Sequence, residues 1–111
     1  PLTVVLFSIK NFKRYMNTYG NKKTDELLKY LESTIMQRLS DTDFTVRIDR
    51  NKFLLVLPGK NKKYAVPLAN TIRNEMVQNF STRELQLLIT FLMAEFPEDG
   101  DNLYSLLDAI D

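Results

Sequence analysis

Cysteine and histidine are both absent from the 111 residues. Without cysteine no disulfide can form, and zinc sites built from thiolate and imidazole ligands are excluded. Long apolar runs are missing too, since none approaches the roughly 18 residues that a membrane-spanning helix needs. The opening Pro1-Leu2-Thr3 is already strand-like, so no signal peptide is visible. Net charge is only +1, which is weak for a nucleic-acid binder. What remains is an ordinary globular composition, 44% hydrophobic and 26% charged, in a length that suits one domain with one core. Both ends read as cut, so residues 1–111 are expected to be a single domain of a larger multidomain protein.

Charge is unevenly spread. Lys and Arg crowd into residues 1–63, and acids predominate in residues 64–111. Such asymmetry points to an anionic partner at the basic part or, more simply, to halves that intermix and cancel in the fold.

Leu2 to Phe7 is a nearly continuous apolar, β-branched run, as in a central strand covered on both faces. Ser8-Ile9-Lys10-Asn11 follows at its carboxyl end. Phe12, Tyr15, Met16 and Tyr19 then share one stripe of a short helix, which Gly20-Asn21 is expected to terminate. Thr24 is expected to cap a long helix, with Asp25 and Glu26 in the first turn where the helix dipole favours acids. Leu27, Leu28, Leu31, Ile35 and Leu39 form its buried face, and Ser40-Asp41-Thr42-Asp43 breaks it.

Strands are expected over Phe44–Ile48 and Lys52–Leu57. Between them lies a hairpin tip made of Asp49, Arg50, Asn51 and Lys52, polar and solvent-facing, and Pro58-Gly59 stops the second strand. Such a tip on a rigid sheet is a place where folds carry chemistry. A second long helix has the stripe Ala65, Leu68, Ala69, Ile72 and Met76, with Pro67 expected in its first turn. Residues 78–81 are expected to connect it to a strand over Leu85–Phe96. Pro97-Glu98-Asp99-Gly100 makes a turn, and a last helix starts near Asn102. The order βααββαβα predicts an α+β fold: a central, mostly antiparallel sheet, helices packed on it, strands one and four central, and a hairpin at one edge.

These pieces, in this order, resemble a GGDEF domain, the diguanylate cyclase fold, along nearly all of the chain. Asn11-Phe12-Lys13-Arg14 after the first strand is similar to the family's Asp-x-Asp-x-Phe-Lys segment. Tyr19-Gly20-Asn21 with Thr24-Asp25-Glu26-Leu27-Leu28 is similar to its Gly-His-x-x-Gly-Asp-x-Leu-Leu. Arg47-Ile48-Asp49-Arg50-Asn51-Lys52-Phe53 falls where Arg-x-Gly-Gly-Asp-Glu-Phe belongs. Phe96-Pro97-Glu98-Asp99-Gly100, and Leu106-Leu107 with Ile110-Asp111, are similar to its later motifs. The resemblance implies a ferredoxin-like, palm-like cyclase core.

In that family two GTP are condensed to cyclic di-GMP across a dimer, with a divalent metal held by the acid ending the first strand and the first acid of the hairpin. By the resemblance those two positions hold Ser8 and Asn51 here. The second hairpin acid is replaced by Lys52, and another nearby acid by Lys10. Asp49 and Arg50 stand in place of the hairpin glycines. The guanine-reading Asn corresponds to Met16, its partner acid to Asp25, and the phosphate-side lysine to Lys13. The product-inhibition motif reads Ser40 to Asp43, with its arginine replaced by Ser40.

Each remnant also has a plain reading. Asp25 is an acid at a helix start, Lys13 a solvated charge, and Arg50 and Lys52 a soluble tip that deters edge pairing. Asp49 alone, between cations, is a poor magnesium site. Phe53 and the stripe through Phe12 are expected in the core. The resulting expectation is a catalytically inactive GGDEF-like domain, needing neither cofactor nor metal. It would act as a regulatory or interaction module of a cytoplasmic bacterial signalling protein, whose parent can carry a membrane anchor elsewhere. Its partners would be neighbouring domains or another copy, not nucleic acid or membrane. The alternatives are a non-catalytic sensor of GTP, ATP or cyclic di-GMP, and a weak nucleotide hydrolase.

Overall fold

The computed structural model describes residues 1–97. Its elements run β1 (Leu2–Ile9), α1 (Phe12–Gln37), β2 (Phe44–Asp49), β3 (Lys52–Pro58), α2 (Lys62–Phe80) and β4 (Ile89–Phe96). The four strands form one antiparallel sheet in the order β2-β3-β1-β4. The expected last helix, and the turn beyond Pro97, lie outside the described residues.

β1 pairs with β3 on one side and β4 on the other, and both of its faces are buried. Val5, Phe7 and Ile9 join α1 and α2 in the main core, while Val4 and Leu6 pack with Ala94 on the other face. That double burial explains its unbroken apolar sequence. β4 was expected to be central as well, but among the described residues it is an edge strand. The error came from its apolar run. Leu85 and Leu87 reach the core from an extended segment ahead of the strand, which begins only at Ile89. Asn11 holds that segment, its side chain donating to the Gln86 carbonyl (2.7 Å) and accepting from the Leu88 amide (3.1 Å).

α1 is helical on both sides of Gly20, whose φ of 84° and ψ of 176° are not. This backbone region is essentially open to glycine alone, so the two-helix reading is correct in substance. Thr24, expected as a cap, instead lies inside the helix, buried, with its hydroxyl donating to the Gly20 carbonyl (2.8 Å). Helical geometry resumes directly after the glycine and leaves nothing for Thr24 to cap. α2 also starts early. The Asn61 side chain accepts from the Tyr64 amide, so Pro67 falls in the second turn rather than the first. There its ring nitrogen cannot donate to the Lys63 carbonyl. At its far end α2 continues to Phe80, through the expected connector, because Phe80 packs edge-on against Tyr30 of α1 (5.2 Å).

Candidate functional site

β2 and β3 join through a two-residue turn, Arg50-Asn51, flanked by the pair Asp49 and Lys52. No non-glycine residue among those described has a positive φ, so the primed turns usual in two-residue hairpins are excluded. A register shift between Arg47 and Asp49 accompanies this turn. The Asp49 carboxylate accepts from the Arg50 amide (2.7 Å), and the Arg47 guanidinium donates to the Arg50 carbonyl (2.9 Å). Phe53, beneath the tip, is buried as expected, with Arg47 over its ring at 5.5 Å.

The tip is fastened to the end of β1. Ile9 donates its amide to the Asn51 carbonyl, and the Asn51 side-chain amide donates to the Ile9 carbonyl, both at 3.0 Å. Ser8 is 5% exposed and lies directly across from Lys52 in the register. The two positions matched to metal ligands thus supply a buried hydroxyl facing a lysine position, and an amide whose nitrogen is committed to the backbone. Mg²⁺ requires several hard oxygens, carboxylates among them. Among the described residues no three Asp, Glu, His or Cys side chains gather closely enough to hold a metal ion. Asp49 is alone, exposed, and engaged with the Arg50 amide. The donor set does not fit the ion that the family's chemistry implies.

Beside Asn51 opens a cleft of about 420 Å³ lined by Lys10, Asn11, Phe12, Lys13, Arg14 and Asn51. Lys10, Lys13 and Arg14 are all exposed, and none forms an ion pair among the described residues. No acid among the described residues lines the cleft. Lys13 and Asn51 therefore share one cavity, joined by Lys10 and by Arg14, to which the sequence had assigned no role of its own.

Arg50 takes a different direction. Its guanidinium lies over the Phe12 ring (5.5 Å), donates to the Met16 sulfur (3.3 Å) and pairs with the Asp25 carboxylate (3.7 Å). Asp25, read from the sequence as a helix-start acid, is thus an ion-pair partner of the hairpin tip. Only the fold, which brings the tip over both limbs of α1, could reveal that contact. Of the helix stripe, Phe12 and Tyr15 are buried, and Met16 and Tyr19 partly so. Burial, reinforced by neighbouring Tyr19 and Glu26, raises the Tyr15 phenol above its ordinary value.

Ser40 and Asp43, matched to the inhibitory motif, lie at the opposite end of the hairpin. The Asp43 side chain is fully buried. It accepts from the Ser40 amide (2.9 Å), the Ser40 hydroxyl (2.8 Å) and the Lys60 ammonium (2.5 Å). Burial alone would raise its carboxyl. The hydrogen bonds from Lys60 and Ser40 outweigh this and hold it below the ordinary value. Lys60, unremarked in the sequence, also lies over the Tyr64 ring (5.3 Å).

Comparison with known proteins agrees with this architecture. The family model described as "Diguanylate cyclase, GGDEF domain" matches residues 1–111. A diguanylate cyclase of Vibrio cholerae is 30% identical over 79 residues, covering 71% of this chain and 25% of its own length. This chain therefore spans about a quarter of that relative. The active GGEEF domain of a diguanylate cyclase from Vibrio cholerae superposes with a TM-score of 0.79 at 23% identity, covering 97% of this chain and 72% of the other. The GGDEF domain of DgcB from Caulobacter crescentus, solved with cyclic di-GMP, gives 0.75 at 19% identity, covering 97% and 68%. No helix among the described residues is long and apolar enough to cross a membrane. With the whole length matched by the family model and the sheet shared with solved members, the chain belongs to the GGDEF diguanylate cyclase domain family.

Proposed function

We propose that this chain is a GGDEF domain without cyclase turnover, serving as a regulatory or protein-interaction module of a larger cytoplasmic signalling protein. The observation that carries the reading is the donor set at the hairpin tip: Ser8, Asn51 and Lys52 where metal-assisted chemistry on a triphosphate needs carboxylates. Its partners on this reading are a neighbouring domain of the same protein or a second copy. The test is incubation with GTP and Mg²⁺ or Mn²⁺. Neither cyclic di-GMP nor pyrophosphate should appear, and appreciable release of either refutes the proposal.

The basic cleft favours a second reading, a sensor that binds a phosphate-rich ligand without turning it over. Three cations around one cavity, none of them in an ion pair among the described residues, suit a polyphosphate, and charge-assisted hydrogen bonds to phosphate are among the stronger polar contacts. Calorimetry with GTP, ATP and cyclic di-GMP tests it. Heat is expected with the triphosphates and least with the dinucleotide, because Asp43 is already taken by Lys60 and Ser40. Absence of heat or thermal shift with millimolar triphosphate leaves the interaction module alone.

A further inference from the structure

We propose that Arg50 covers the Phe12 side of this cleft with its own guanidinium, so that the cleft accepts a bare polyphosphate chain as readily as a nucleotide. The inference rests on the second reading above, that the basic cleft binds phosphate-rich anions. Guanine offers a carboxylate two neighbouring donors, its ring N–H and its exocyclic amine, in an N–C–N fork. A guanidinium carries the same fork. Here the Asp25 carboxylate already pairs with the Arg50 guanidinium (3.7 Å), and the face of Phe12 is covered by the same group (5.5 Å). Met16, at the remaining side, offers only a thioether sulfur, a weak acceptor, and Arg50 already donates to it (3.3 Å). A base entering this space must first displace the guanidinium and would then find a single carboxylate to bind.

The phosphate end is untouched by this arrangement. Arg50 does not line the cleft, whereas Lys10, Lys13, Arg14 and Asn51 do. With no acid of the described residues in the lining, the cleft offers no carboxylate to hold a divalent ion against a phosphate. Its own three cations supply the neutralising charge. What distinguishes ligands is then the number and spacing of phosphates, not the nucleoside attached to them. The Arg50 side chain is 49% exposed, so the contact is a removable cover and not part of the core.

The test is calorimetry of the chain in EDTA with inorganic tripolyphosphate, GTP and guanosine. Tripolyphosphate and GTP should bind within about threefold of each other, and guanosine should give no heat. Arg50→Ala should tighten GTP by about threefold to tenfold, the combined worth of an exposed cation–π contact and an exposed ion pair. It should change tripolyphosphate affinity by less than about twofold, because Arg50 is outside the lining. Lys10→Ala/Lys13→Ala should abolish binding of both, and undiminished binding would place the ligand elsewhere and overturn the proposal. If unaltered protein prefers GTP more than about tenfold over tripolyphosphate, or if guanosine competes, the base is being read. The proposal then falls while the anion-binding cleft stands. If neither phosphate compound binds, both fall together.

Discussion

At the end of the sheet where β2 begins, Asp43 is fully buried and accepts three hydrogen bonds, one of them from Lys60. At the other end, around the hairpin tip, Ser8 and Asn51 carry no charge, Asp49 is solvated, and Lys10, Lys13 and Arg14 surround an open cleft. The same two strands carry both ends. The difference teaches where this chain uses a carboxylate. One is kept, desolvated and paired, where it locks β2 to the start of α2, and among the described residues none is gathered where a cation would have to be captured from solution. The first arrangement is a structural brace, and the second leaves a surface with spare positive charge.

That contrast can be broken by substitution. Asp43→Ala should have the largest effect, lowering stability by about 3 kcal/mol in urea titration, because it strands the Lys60 ammonium and the Ser40 donors. A loss comparable to that of an exposed residue would show that Asp43 is no brace. Acid sharpens the same point. The folded Asp43 carboxyl is lowered from its ordinary 3.8, so its contribution is complete above that value and is lost as pH falls through the folded one. The stability gap between the unaltered chain and Asp43→Asn should therefore be constant above about pH 5 and shrink below about pH 4.

Gly20→Ala comes next, at about 1–3 kcal/mol, the cost of forcing a side chain into a glycine-only backbone region. None of the described residues stands within 4 Å of the added methyl, so the loss is conformational. A thermal melt unchanged by this substitution would mean that the bend in α1 is not imposed at Gly20. Smallest is Asn51→Ala, which removes one hydrogen bond to Ile9 and should cost about 1 kcal/mol. Should it exceed the loss at Asp43, the tip and not the corner would be the braced end.

Much of the architecture was legible in the sequence because periodicity reports burial directly. Val4 to Phe7, the leucines of α1, and Ala65, Ala69, Ile72 and Met76 all lie in the core where the pattern puts them, with Leu68 partly buried against it. The strand order was less legible. Leu85 and Leu87 are buried without belonging to a strand, so an apolar run in residues 85–96 exaggerated both the length of β4 and its centrality. Pro67 was misplaced because a proline fixes one φ but does not announce where its helix began, and here Asn61 decided that. At the site, residue types were readable but partnerships were not. Arg50 with Asp25, and Asp43 with Lys60, are 25 and 17 positions apart, and nothing local to either residue encodes its counterpart.

Asn51 and Ile9 exchange two hydrogen bonds, one through the backbone and one through the side chain. An aspartate at position 51 has no proton to give, so its oxygens would face the Ile9 carbonyl as like against like and swing away from it. The swap of one nitrogen for an oxygen would unfasten the side-chain stitch between β1 and the hairpin tip and, in the same movement, set an acidic group free toward solvent. Placing a metal-seeking oxygen here is therefore also a loosening of the seam, and a tip fastened by an amide favours rigidity over reach.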